Sequence, residues 1–147
     1  VAGIDGLKSG SIGGIHSVSL TTRKPPQGFE GNVYVKERGI DLSEIENEET
    51  LFVGPAKEAV RYFPENVNVA ASLSIAGIGP DATKVKVVAD PFATENIHEI
   101  EVIGEFGKLM VRVENVPSPT NPKTSHLAAL SAIATLKGII YPVRVGT

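Results

Sequence analysis

An α+β domain, with a mixed or mostly antiparallel sheet and helices packed on one face, is predicted by three observations. Valine and isoleucine gather in segments that alternate with polar residues, at 15–22, 83–89, 97–105 and 108–114, which is the period of a half-buried strand. Alanine gathers in segments of helical spacing instead, around 56–62, 67–78 and 124–137. With no Trp and aromatic residues at 5%, the core must be built from small aliphatic side chains. Such a sequence buries its helical alanine faces against a sheet.

The elements follow in order. Residues 2–14 place Ile4, Leu7 and Ile12 at near-helical spacing with no capping residue ahead, so an upstream portion is expected. Residues 15–22 form a strand that Lys24-Pro25-Pro26 must stop, because proline cannot donate to a ladder. Residues 27–49 are polar and glycine-containing and read as a variable excursion. A short strand at 50–53 leads through Gly54-Pro55 into a helix that Pro64 ends. Asn66 or Asn68 caps the next helix, 67–78, which is apolar nearly all round and therefore buried. Glu105-Phe106-Gly107-Lys108 joins two alternating strands as a hairpin. Residues 117–122, with three prolines, read as a stiff extended linker, after which Thr124 or Ser125 caps a terminal helix.

Composition narrows the function classes. A chain of 147 residues suits one domain that buries roughly two-thirds of its unfolded surface. A net charge of -3, without runs of like charge, disfavours a nucleic-acid partner. The absence of cysteine removes disulfides and thiolate metal sites, and no metal is required. No run of 18 apolar residues and no leader is visible, so the expected location is the cytoplasm, away from membranes.

Among the motifs, Gly77-Ile78-Gly79-Pro80-Asp81-Ala82 imitates a dinucleotide loop in the wrong order. A helix precedes it and a strand follows, whereas pyrophosphate binding needs a strand before the glycines and a helix after them. It reads as a helix-ending turn. His98 stands where a loop meets an alternating strand, with Asp90, Glu95 and Glu99 available to hold its tautomer or charge. By default it is a structural histidine. Asn66 and Asn68 are caps by default, although an amide offers both donor and acceptor to a ligand. Asn121, Lys123, Thr124 and Ser125 open a helix whose free amides and dipole would favour an anion. Arg23 and Lys24 are second-rank candidates for the same task.

Taken together, Asp90-Pro91-Phe92-Ala93-Thr94-Glu95-Asn96-Ile97-His98-Glu99-Ile100, Phe63-Pro64-Glu65-Asn66-Val67-Asn68-Val69-Ala70-Ala71, Asn121-Pro122-Lys123-Thr124-Ser125, Thr21-Thr22-Arg23-Lys24-Pro25-Pro26 and Ala2-Gly3-Ile4-Asp5-Gly6-Leu7 resemble the carboxy-terminal catalytic domain of the L-aspartate dehydrogenase family, from residue 1 to about 137. The resemblance implies an enzyme that oxidises L-aspartate with NAD or NADP, His98 being catalytic and Asn68 touching the cofactor. It makes Asn66, Asn121, Lys123 and Thr124 candidates for the substrate carboxylates. It also implies residues 1–123 as the catalytic and oligomerisation domain, a homodimer or larger homo-oligomer formed through the sheet, and residues 124–147 as a terminal helix packing on a Rossmann domain not included here. The rival expectations are a non-catalytic binding or assembly domain, and a two-domain dehydrogenase or reductase acting on a semialdehyde or cyclic imine. The lack of cysteine excludes the thiol-dependent aldehyde enzymes.

Overall fold

β1, Ile15–Lys24, is the central strand of a five-stranded sheet in the computed structural model, which describes residues 3–64, 67–118, 121–141 and 143. Its buried Val18, Leu20 and Thr22 alternate with Ser17, Ser19, Thr21 and Arg23, so one face is largely apolar and the other polar. β3, Lys84–Ala89, runs parallel to β1, with Thr22 beside Val87. β4, Asn96–Gly104, runs antiparallel on the other side, with Thr22 beside His98. β2, Glu49–Pro55, and β5, Gly107–Asn115, are antiparallel edges, which completes the order β2-β3-β1-β4-β5. The sheet is therefore mixed, as predicted, and the short strand expected at 50–53 joins it as the fifth member.

Helices cover the apolar face. α1, Ile4–Ser11, α3, Ala56–Tyr62, and α4, Val67–Ala76, bring Leu7, Ala56, Ala59, Ala70 and Leu73 against Val18, Leu20, Val85, Val87, Ile100 and Val102. Small residues allow the close approach. A Cβ on Gly77 would lie 2.9 Å from the Leu73 carbonyl oxygen and 3.3 Å from a Val18 methyl, so the end of α4 presses directly onto β1.

The excursion at 27–49 contributes more than its polar composition suggested. A 3-10 turn at Pro26–Phe29, α2 at Val33–Arg38 and a second turn at Leu42–Glu44 deliver Phe29, Val35 and Ile45 to the core. Asn32 holds this piece in place by capping α2 and donating to the Tyr62 carbonyl at 2.9 Å. Tyr34 and Phe63 then meet at 5.2 Å between ring centres, and Phe52 closes the cluster. A few widely spaced apolar residues are enough for this satellite, which is why periodicity did not show it.

The hairpin forms as expected, Gly104 pairing with Gly107 across Glu105-Phe106. Beyond β5 the chain departs from expectation. β6, Pro117–Ser118, and β7, Asn121–Ser125, pair as a two-stranded ribbon where a linker was predicted, and α5, His126–Ile140, starts after it. Leu127, Leu130 and Ile133 line α5 with roughly half of each side chain exposed. None of the described residues of α5 is buried. Among the described residues, no helix is long and apolar enough to cross a membrane.

Candidate functional site

The parallel strands β1 and β3 end side by side at Lys24 and Ala89. The connection from β3 to β4 crosses that end, because β1 lies between the two strands. Asp90 pins the crossing: its amide donates to the Lys24 carbonyl at 2.9 Å, and its Oδ1 accepts from the Phe92 amide at 2.9 Å. β4 then starts in the register that sets His98 beside Thr22. Strand alternation places Thr22, Lys24 and His98 on the helix-covered side, at the carboxyl end of the parallel pair, where sheets of this kind bind ligands.

His98 is half-buried, and its Nδ1 lies 3.2 Å from Thr22 Oγ1. Burial, and after it the nearby Lys24 charge, push its pKa from the ordinary 6.5 down to about 4. The ring is thus neutral at physiological pH. Nε2 has no hydrogen-bond partner among the described residues.

The carboxylates expected to hold this imidazole do not do so. Glu99 is the next residue along β4 and falls on the opposite face, paired with Arg112 at 2.5 Å and Arg23 at 3.7 Å. Asp90 faces Arg23 at 3.6 Å, and Glu48 also pairs with Arg23. Arg23, Glu48, Asp90 and Arg112, together with Glu95 and Glu114, line an open depression of about 380 Å³ on the polar side. Arg23, a second-rank carboxylate ligand on sequence, is therefore held in an ion network away from His98. Thr22, which touches the imidazole, was missed. Its sequence signal is a polar residue at a core position of β1, and only the register of two distant strands gives that signal meaning.

Asn68 stands one residue inside α4 and so does not cap it. Its side chain is exposed, and none of the described residues bonds to it. Asn66 lies outside the described residues. Asn121, Lys123 and Thr124 fall in the backbone of β7 instead of a helix start, and their side chains are likewise outside the described ones. The first amide of α5, at His126, donates to the Val116 carbonyl at 3.0 Å, and Ser125 donates to Asn115 Oδ1 at 2.8 Å in place of capping the helix.

The glycine turn behaves as predicted. Gly77 and Gly79 spend their amides on the Leu73 and Ser74 carbonyls, at 2.9 and 3.0 Å, and Gly79 takes a φ of 85° to end α4. Those amides cannot cradle a phosphate.

With this arrangement in view, residues 5–139 match the protein family described as "Aspartate dehydrogenase, C-terminal", and the chain belongs to that family. L-aspartate dehydrogenase of Methanosarcina barkeri is 63% identical over 147 residues, covering all of this chain and 54% of the relative. That of Nitrosopumilus maritimus is 49% identical, over 93% of this chain and 50% of the relative. The crystal structure of aspartate dehydrogenase from Thermotoga maritima superposes with a TM-score of 0.76 at 28% identity, over 99% of this chain and 53% of that one. The chain spans about half the length of the relatives it matches.

Proposed function

We propose that this domain supplies the substrate side of a nicotinamide-dependent L-aspartate dehydrogenase and that His98 is its reacting group. The observation that carries this reading is a half-buried, neutral imidazole whose Nε2 has no partner among the described residues, at the carboxyl end of β1 and β3, in a family whose named relatives are L-aspartate dehydrogenases.

Bound NAD or NADP supplies the hydride acceptor. The substrate α-carbon gives up hydride, the amine becomes the imine of iminoaspartate, and water converts the imine to oxaloacetate and ammonia. His98 is set against the substrate nitrogen or the attacking water, where exchanging a proton or a hydrogen bond is typically worth ~10²–10⁴ in rate. The Asn68 amide, exposed and without a partner among the described residues, suits the nicotinamide carboxamide. Among the described residues no strand runs into a helix through a G-x-G-x-x-G loop that would seat a pyrophosphate, so the rest of the dinucleotide falls to a nucleotide-binding domain, for which the exposed α5 stripe is the docking surface. Asn66, Asn121, Lys123 and Thr124 remain the candidates for the substrate carboxylates. The polar face of the sheet joins two copies in a cytoplasmic homo-oligomer.

The test is to follow nicotinamide reduction and oxidation by the full-length protein, with NAD or NADP over a panel of L-amino acids and with the reduced cofactors over a semialdehyde and a cyclic imine. L-aspartate should be turned over faster than L-asparagine, L-glutamate or L-alanine. Turnover of a cyclic imine or semialdehyde in its place, or none at all, would overturn the reading.

A further inference from the structure

Thr22 lies on the core side of β1 and is 1% exposed. Its hydroxyl has one hydrogen-bond partner among the described residues, Nδ1 of His98 at 3.2 Å. A threonine hydroxyl brings one proton and two lone pairs to such a contact, and a neutral imidazole brings one N–H and one bare nitrogen. Two arrangements are therefore open. If Nδ1–H donated to Oγ1, the hydroxyl proton would be left in the core with no acceptor among the described residues and almost no access to water. An unpaired buried donor of that kind costs about 1–3 kcal/mol. If the hydroxyl donates to a bare Nδ1, its proton is satisfied and the ring proton resides on Nε2, the nitrogen that has no partner among the described residues.

We propose that Thr22 is a positioning residue: its hydroxyl donates to Nδ1 of His98, fixing the ring as the Nε2–H tautomer and presenting a hydrogen-bond donor to the substrate. The proposal rests on the reading of His98 as the reacting group and narrows it. Held this way, Nε2 cannot take the proton of a substrate ammonium. It offers its own proton to an acceptor, either a substrate carboxylate or the oxygen that water contributes. Neutral imidazoles serve other active sites as donors in this manner. The Lys24 charge and the burial of the ring both favour the neutral donor form. Threonine suits the task because branching at Cβ restricts χ1 and so restricts the direction of the hydroxyl. Serine would keep the donor with more freedom, and valine would keep the shape without it.

The experiment is a long-range ¹H–¹⁵N correlation spectrum of the full-length protein labelled at histidine, with His98 assigned by its disappearance in His98→Gln. The wild type and Thr22→Ser should show a bare Nδ1 and a protonated Nε2 at His98. Thr22→Val should show mixed tautomers, with kcat for aspartate lower by about tenfold, the KM for dinucleotide unchanged, and activity restored to within about twofold by serine. A protonated Nδ1 in the wild type would overturn the proposal, as would a Thr22→Val protein that keeps the Nε2–H tautomer and full activity. The spectrum does not depend on turnover. Failure of the aspartate reaction therefore leaves the tautomer to be decided on its own.

Discussion

The two faces of the sheet, compared at the end where β1 stops, show how one residue step divides chemistry. On the helix side, His98 and Thr22 are enclosed, meet each other through neutral groups and have no ion pair with one another. On the open side, Arg23 and Arg112 are surrounded by Glu48, Asp90, Glu99 and Glu114 in a network of ion pairs. His98 and Glu99 are neighbours in the chain, yet one loses its charge to burial while the other is stabilised by two arginines. The comparison teaches that an acidic residue beside a histidine in a strand is a poor guide to what that histidine touches, because the pleat separates them.

The comparison can be broken or sharpened by substitutions graded in effect. Leu73→Ala, at a fully buried position under β1, should cost about 2–5 kcal/mol of stability in chemical denaturation. A loss below about 1 kcal/mol would mean that the helix side is less tightly packed than described.

Acid should act through the helix side as well. The folded pKa of His98 lies below its unfolded value, so between pH 6.5 and about 4 the unfolded chain binds a proton that the folded chain refuses. Stability should therefore fall as pH falls through that window, by on the order of 3 kcal/mol at its lower end. His98→Gln should flatten that part of the profile, and an unchanged acid limb would place the sensitivity elsewhere.

Asn68→Ala should weaken dinucleotide binding by about 1–3 kcal/mol without moving the unfolding temperature, since the exposed amide bonds to none of the described residues. A lower unfolding temperature with unchanged affinity would make Asn68 structural. The smallest effect is expected on the open side. Glu99→Gln should cost about 0.2–1 kcal/mol, because its partners are partly solvated.

Features governed by local pattern were legible in the sequence. The alternation in 15–22, 83–89, 97–105 and 108–114 gave four strands, and the helix-before, strand-after order exposed the glycine turn as a helix end. His98 could be singled out by its place at a loop-strand junction. The features that escaped depend on contacts between distant segments. Thr22 acquires its meaning only when β1 and β4 pair in one particular register. Phe29 and Val35 anchor a polar excursion through an aromatic cluster that periodicity does not reveal. Residues 117–122 look like a proline-stiffened linker, but extended backbone is also what a strand requires, and pairing between β6 and β7 makes the ribbon. That pairing is what removes Asn121, Lys123 and Thr124 from a helix terminus.

The most direct test of the division between the faces compares two adjacent residues in the full-length protein. His98→Ala should lower kcat for L-aspartate by at least about a hundredfold with dinucleotide affinity nearly unchanged, as expected when a group acting on the substrate is lost. Glu99→Gln should leave kcat within about twofold of wild type. Retention of more than half the wild-type rate by His98→Ala, or a collapse of kcat in Glu99→Gln at normal stability, would contradict the account and move the chemistry to the open face.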